Sequence, residues 1–174
     1  ASSCTGTISI SFSGAAASQL YQGTYSDNIT FSYRRNGSLV STQALTLTSQ
    51  VVGSTVSLTI NGNAVASSLP LTTVQTSLLV GTATEASNSN TGYLIQARSA
   101  NAGKLTNAAS NISYTLKYGS SGAISLTTSN VTVYTVPAGL YSSNSSNLTI
   151  SYTPPASMAA GTYSDVITFT IAAQ

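Results

Sequence analysis

Apolar and polar side chains alternate with a period of two along much of this sequence. The segment from Asn111 to Tyr118 shows the pattern most clearly, because an apolar or aromatic residue occupies every second position. Successive side chains of a β-strand point to opposite faces, so this spacing predicts strands with one buried face. Similar strands are predicted at Thr7 to Phe12, Asn28 to Tyr33, Ala44 to Val52, Thr55 to Ile60, Ser77 to Thr82, Gly92 to Arg98, Ala123 to Thr127, Asn130 to Thr135, Asn147 to Tyr152 and Ser164 to Ile171.

Turn residues separate many of these strands, for example Asn61-Gly62-Asn63 and Pro154-Pro155. Ser and Thr fill 58 of the 174 positions, a composition that suits strands and turns. No segment has a helical period, and Pro155 to Ala160 would form one helical turn at most. Short strands at this spacing predict an antiparallel sandwich or barrel.

Charge is sparse, since Asp, Glu, Lys and Arg make up 5% of the chain. The five cationic residues are scattered and form no basic stripe, which argues against nucleic acid as a partner. No apolar run approaches the roughly 20 residues that span a bilayer, so membrane insertion is not expected.

The residue types that catalysis needs are scarce. The chain has no His, one Cys and three carboxylates, so we expect neither an enzyme nor a metal or cofactor site. Two of the carboxylates, Asp27 and Asp165, occupy equivalent positions of a repeat and are not expected to form one site. Each is better explained as a local acceptor of hydrogen bonds at the start of a strand than as a calcium ligand, which needs several carboxylates.

The repeat joins two segments that are 138 residues apart. Residues 23–33 read GTYSDNITFSY and residues 161–171 read GTYSDVITFTI, with 8 of 11 positions identical. Its defining residues are Gly23, Tyr25, Asp27, Gly161, Tyr163 and Asp165.

Two explanations of this spacing stay open. In the first, residues 1–43 are the C-terminal hairpin of a preceding homologous domain plus a linker, and residues 44–174 form one complete domain. In the second, the two copies belong to two halves of a single sandwich. The separation is close to one domain length, which favours the first explanation.

Cys4 has no second cysteine with which to pair in this sequence. It is a small buried residue, a partner for another chain, or half of a disulfide whose other half lies in sequence outside this chain. The first explanation of the repeat favours the last of these.

The C-terminal signature, Ala159 to Asp165 followed by the apolar strand Val166 to Ile171, resembles the closing strand of chaperone-usher pilins. It is most similar to the archaic group, which contains the spore coat protein U domain, and to the alternate group of colonisation-factor pilins. The segments Ser89 to Tyr93, Ser99 to Leu105 and Asn111 to Tyr114 fit the same comparison. The likeness covers residues 44–174.

This resemblance implies an all-β, immunoglobulin-like antiparallel sandwich that lacks its final strand and is completed by strand exchange. It also implies an extracellular fibre reached through the periplasm, with neighbouring subunits, a periplasmic chaperone and an usher as partners. Adhesion or biofilm formation would be the biological role, with a host or surface ligand as a further partner.

An exchanged strand needs apolar residues at alternate positions. Ala44 to Val51 meets this requirement, because Leu45, Leu47, Ser49 and Val51 share one face. In position and pattern it resembles the donor segment of colonisation-factor pilins, although here 43 residues precede it, as in a two-domain tip adhesin. The alternative is an ordinary core strand of the domain that contains it.

Three function classes follow from these observations. The first is a structural fibre subunit, and the second is a carbohydrate- or receptor-binding tip module, which requires a concave polar site. The third, an enzyme, has little support in the residue types present.

Overall fold

The structure, a computed structural model, describes residues 7, 9, 20–108 and 110–174. These residues form antiparallel β-strands and one 3-10 turn, Ala64–Ser67. The prediction of an all-β antiparallel sandwich is confirmed. The strands are β1 (Gly23–Arg35), β2 (Ser38–Val51), β3 (Val56–Gly62), β4 (Gln75–Ser87), β5 (Tyr93–Ser99), β6 (Lys104–Thr106), β7 (Asn111–Tyr118), β8 (Val131–Val136), β9 (Tyr141–Tyr152) and β10 (Ile167–Ala173).

Two sheets of the sandwich enclose the core. One has five strands in the order β3-β4-β9-β7-β6, and the other has three in the order β10-β5-β8. Their facing side chains form one hydrophobic cluster. Its buried members, none more than 5% exposed, are Ala83, Tyr93, Ile95, Ala97, Leu105, Ile112, Tyr114, Leu116, Tyr118, Leu126, Val133, Val136, Leu148, Ile150 and Tyr152.

Strand β7 has the bounds that the alternation predicts, Asn111–Tyr118. Its even-numbered residues from Ile112 to Tyr118 are all buried, while the residues between them lie at or near the surface. Burying each apolar side chain contributes about 1.5–3 kcal/mol, so the alternation fixes which face of the strand meets the core.

Gly81 allows β3 and β4 to approach closely. Strand β4 is irregular between Leu79 and Gly81 in its pairing with β9. A Cβ atom at position 81 would lie 2.7 Å from the backbone oxygen of Asn61 on β3. A larger residue would therefore push the two strands apart.

Strands β1 and β2 form a separate two-stranded hairpin. Gly23 pairs with Val51 at its base, and Arg35 pairs with Ser38 beside the two-residue turn. Asn36 and Gly37 in that turn both have positive φ, 50° and 81°, as a type I′ turn requires. The hairpin spans residues 23–51 and the sandwich begins at residue 56, while the assignment of residues 1–43 to a preceding domain stays a prediction.

One predicted strand does not form. Ala123 to Thr127 is not a strand, because only Ile124 bridges to Leu116, although Leu126 is buried. The apolar pattern of this segment reflects burial without a neighbouring strand to bond to. Pro155 to Ala160, where at most one helical turn was expected, contains none. Of the strand predicted at Thr7 to Phe12, only residues 7 and 9 are described, so that prediction lies largely outside the described residues.

Tyr141, the first residue of β9, is partly buried. Its ring and the ring of Tyr93 are close to perpendicular, with the ring centres 5.7 Å apart. The more exposed tyrosine is Tyr33 of the hairpin, at 61%.

Candidate functional site

The core of the sandwich is open between β3 and β10. These strands lie at the edges of their sheets, so neither has a strand partner on its outer side among the described residues. Their core-facing side chains are only half-buried in β10, at Ile167 and Phe169, and Ile60 of β3 is 39% exposed. The core-facing side chains of the other two edge strands, Leu105 of β6 and Val133 and Val136 of β8, are at most 5% exposed, so the core is less covered on the β3 and β10 side.

A cavity of about 200 Å³ lies at this opening. Its lining is mainly aliphatic and aromatic and comes from both sheets. Its apolar lining includes Ile60, Leu69, Leu116, Ile150, Ile167 and Phe169. We call this feature, between β3 and β10, the open groove.

Asp165 lines the same cavity and has a dense set of hydrogen-bond donors. Its Oδ2 accepts from the hydroxyl of Ser99 at 2.5 Å and from the phenol of Tyr114 at 2.6 Å. Its Oδ1 accepts from the N–H groups of Asn101 at 3.0 Å and Val166 at 2.7 Å. We call the three residues that surround it from elsewhere in the fold, Ser99, Asn101 and Tyr114, the Asp165 pocket.

The Asp165 pocket joins the two sheets. Ser99 ends β5 of the three-stranded sheet and Tyr114 lies in β7 of the five-stranded sheet, so one carboxylate is bonded to both. Burial and the hydrogen bond to Asp165 raise the pKa of the Tyr114 phenol, which therefore remains a donor at neutral pH. The sequence predicts that Asp165 accepts hydrogen bonds from nearby N–H groups. This prediction accounts for the bond from Val166 but not for the bonds from Ser99 and Tyr114.

The second motif copy enters β10 later than predicted. Strand β10 begins at Ile167 instead of Ser164, and Ser164 pairs only with Thr106 as an isolated bridge. Upstream, the phenol of Tyr163 donates to the carbonyl of Ala159 at 3.0 Å and also contacts the hydroxyl of Ser110. The motif thus forms the corner that leads into β10.

The first copy makes the equivalent local hydrogen bonds, although it lies within strand β1. The phenol of Tyr25 donates to the carbonyl of Tyr21 at 3.0 Å, and Asp27 Oδ1 accepts from the N–H of Asn28 at 2.8 Å. Gly23 and Gly161 both have positive φ, 155° and 138°. The structure does not bring the two aspartates together in one site.

The four residues of the predicted exchanged strand lie on one face of β2. Each is opposite a residue of β1: Leu45 faces Ile29, Leu47 faces Asp27, Ser49 faces Tyr25 and Val51 faces Gly23. Leu47 is half-buried and Leu45 is 41% exposed. Ala44 to Val51 is therefore paired with the first motif copy.

A buried carboxylate that the sequence did not single out lies elsewhere in the core. Glu85 of β4 is fully buried and accepts from the phenols of Tyr93 at 2.6 Å and Tyr118 at 2.5 Å. Asn144 donates to it at 3.2 Å. The sequence carries a signal for this residue. Glu85 lies two positions after Ala83 in β4, so both side chains are on the core-facing side of the strand, where an acidic residue is unusual.

No group of three metal-binding side chains occurs in the part of the chain that the structure describes. Within the same residues, no helix has the length and hydropathy to cross a membrane. Comparison with protein-family models gives no match for this sequence, and comparison with curated proteins gives none either.

Proposed function

We propose that the chain is a structural subunit of a bacterial surface fibre, joined to its neighbour by a strand that enters the open groove. The observation that carries this proposal is the pair of unpaired edges, β3 and β10, beside an apolar cavity that connects with the core. An extended segment placed there would bond to the free backbone groups and bury alternate side chains against Ile167 and Phe169.

The hairpin supports this proposal because it shows such a pairing next to the same motif. β1 carries the first motif copy, and β2 lies antiparallel to it with its apolar residues on the motif face. By analogy, an incoming strand runs antiparallel to β10 and places an apolar side chain opposite Ile167, as Leu45 is opposite Ile29. Such a joint is slow to reverse, because the strand must leave a folded core.

The partners of this function are neighbouring subunits, a periplasmic chaperone that keeps the groove covered before assembly, and an usher. The site of action is the cell surface, reached through the periplasm. The role is adhesion or biofilm formation.

Immunogold electron microscopy of source cells tests the proposal. An antibody raised against residues 56–174 should label fibres that extend from the cell surface. Label confined to the cell envelope, on cells that carry no fibres of this chain, would contradict the proposal.

A second candidate function, a receptor-binding tip module, is favoured by a surface depression of about 720 Å³ to which several polar side chains contribute. Gln75, Asn111, Ser113 and Thr115 are among the residues that line it, together with apolar residues such as Val74 and Pro154. Several polar groups around an apolar depression suit a sugar. If the intact chain binds a glycan on an array and the Asn111→Ala variant binds it more weakly, this function is favoured. If no glycan binds, the fibre function is the only candidate that remains.

A further inference from the structure

The dipeptide Asn-Gly occurs twice in the chain, at Asn36-Gly37 and at Asn61-Gly62. An asparagine followed by glycine can modify itself, because the backbone nitrogen of the glycine reaches the asparagine side-chain carbon with no Cβ atom in the way. Both residues of both pairs are exposed to solvent. Exposure therefore does not distinguish the two sites, and the difference between them lies in the backbone.

The first pair forms the turn between β1 and β2. Asn36 and Gly37 have φ of 50° and 81°, and the strand pairing closes on the flanking residues Arg35 and Ser38. The two central residues of such a loop lie outside the hydrogen-bonded ladder. A Cβ atom at Gly37 would meet nothing within 4 Å, and the Asn36 side chain has no hydrogen-bond partner among the described residues. Both reacting groups are thus free to move.

The second pair is held within the five-stranded sheet. Gly62 of β3 lies opposite Gly81 of β4, and the backbone oxygen of Asn61 is 2.7 Å from the place that a Cβ atom on Gly81 would take. The pairing continues past the dipeptide, because the N–H of Asn63 donates to the carbonyl of Val80 at 2.8 Å. The backbone around Asn61 is therefore fixed on both sides.

Ring closure requires the asparagine to rotate about its Cα–C bond until the glycine nitrogen lies beside its own side-chain carbon. At the hairpin tip this rotation disturbs two residues that carry no ladder bonds. In β3 the same rotation breaks the pairing with β4. Opening a paired strand of a packed sheet costs more free energy than opening an exposed turn, so the reactive conformation is rarer there.

We propose that Asn36 is a self-modification site, and that the fold protects Asn61 from the same reaction. The Gly37 nitrogen loses its proton to water or hydroxide and attacks Cγ of Asn36. The new C–N bond forms, the Cγ–Nδ2 bond breaks, and ammonia leaves. Water then opens the five-membered succinimide at either of its two carbonyls, which gives aspartate or isoaspartate at position 36.

The reaction changes both the charge and the shape of the hairpin tip. It places a carboxylate next to Arg35, in the turn whose Gly37 carbonyl accepts a hydrogen bond from Arg34 at 3.1 Å. One added carboxylate lowers the formal net charge of +2 by one. The isoaspartate form also lengthens the backbone by one carbon atom, and a two-residue type I′ loop has no room for it.

Peptide mapping of the aged chain tests this proposal. The full, folded chain is incubated in mildly alkaline buffer and digested with chymotrypsin, and tandem mass spectrometry follows the two sites separately. We expect Asn36 to convert at least about tenfold faster than Asn61. In urea, where turn and sheet are both lost, the two sites should convert at similar rates. The Asn36→Gln variant keeps an amide on a longer side chain and should form no isoaspartate at this position.

Three results overturn the proposal. The first is a folded chain in which Asn61 converts as fast as Asn36, or in which Asn36 does not convert. The second is a difference of the same size in urea, because the local sequence and not the fold would then set the rates. The third is an undiminished yield of isoaspartate from the Asn36→Gln variant. Hydrogen exchange of the isoaspartate form tests the change of shape: the amides of Arg35 and Ser38 should exchange faster, and unchanged exchange would contradict it.

Discussion

The phenol of Tyr114 donates a hydrogen bond of 2.6 Å to the carboxylate of Asp165, which ties the five-stranded sheet to the segment that enters the three-stranded sheet. The same carboxylate accepts from Ser99 and Asn101. A single side chain of the repeated motif therefore fixes how β10 closes the sandwich.

Removing this carboxylate should destabilise the chain much more than removing its counterpart in the hairpin. Asp165→Ala leaves the phenol of Tyr114 and the N–H of Asn101 without their acceptor, and we expect the free energy of unfolding to fall by about 2–4 kcal/mol. Asp27→Ala is the matched control and should change it by less than about 0.5 kcal/mol, as for an exposed substitution. Urea unfolding followed by circular dichroism measures both, and equal losses would contradict the assigned role of the pocket.

The buried tyrosines predict loss of stability at alkaline pH. Burial is the main cause that raises the pKa of Tyr93 and Tyr118 above the usual value of about 10, and their hydrogen bonds to Glu85 add to it. Burial and the hydrogen bond to Asp165 raise the pKa of Tyr114 in the same way. The folded state then keeps protons that the unfolded state releases. Stability is fully present below about pH 10 and declines above it, with a slope approaching about 1.4 kcal/mol per pH unit for each tyrosine.

Absorbance at 295 nm, which reports tyrosinate, checks this prediction. The phenols of Tyr93, Tyr114 and Tyr118 should ionise together with unfolding. Replacing these three residues by Phe should weaken the cooperative step, and what remains is the contribution of Tyr152, whose pKa is also raised by burial. Ionisation of the three phenols near pH 10 without unfolding would show that they are not shielded.

Glu85 should be more sensitive to loss of its carboxylate than to loss of its charge. Glu85→Ala removes the acceptor of Tyr93 and Tyr118 and leaves a cavity, so we expect a loss of about 3–5 kcal/mol. Glu85→Gln keeps the volume and one carbonyl oxygen, and the loss should be roughly 1–3 kcal/mol.

A double-mutant cycle of Glu85→Gln with Tyr93→Phe checks the assignment of that loss. The two losses should add to more than the loss of the double variant, because the side chains share one hydrogen bond. Strict additivity would mean that the 2.6 Å contact contributes nothing to stability.

The open groove should accept a strand in a defined register. A peptide of residues 41–52 at about 100 times its dissociation constant should stabilise the chain by about 2.7 kcal/mol, which raises the melting temperature by about 5–10 °C. A peptide with Leu45→Asn and Leu47→Asn should give no shift, because it has no apolar residues to bury. The absence of any shift with the parent peptide would count against strand entry from this segment.

Crosslinking tests the register itself. The chain carries Cys4→Ser and Ile167→Cys, and the peptide carries Leu45→Cys. A short bismaleimide should join them, because Leu45 is opposite Ile29, the equivalent of Ile167. The peptide with Thr46→Cys, whose side chain points to the other face, should react far less, and equal reaction would rule out the register.

Alternation in the sequence located most of the strands. β7 matches its prediction at both ends, β5 is shifted by one residue from the predicted Gly92 to Arg98, and β9 contains the segment predicted for it. The apolar face of a core strand must meet the interior, so period and burial agree there. Strand ends are predicted less well, because alternation shows which face is buried and not where the pairing stops. β10 starts three residues later than predicted, and β1 and β4 extend beyond both ends of their predicted segments.

Contacts between distant residues were not predictable from the pattern. Ser99 and Asp165 are 66 positions apart, and nothing in their spacing indicates that they bond. The hydrogen bond between Glu85 and Tyr118 in the core is equally invisible in their spacing along the chain. The composition indicated no catalytic chemistry, but it could not reveal that the carboxylates organise the interior.

The sequence by itself determined that the chain folds into antiparallel strands and that one motif occurs twice, because side-chain period and residue identity are local properties. The tertiary structure alone decided that Asp165 is anchored in a pocket while Asp27 faces outward on a hairpin. It also decided that β3 and β10 leave the core open between them. These outcomes depend on which strands become neighbours, and that is set by the packing of the whole sandwich.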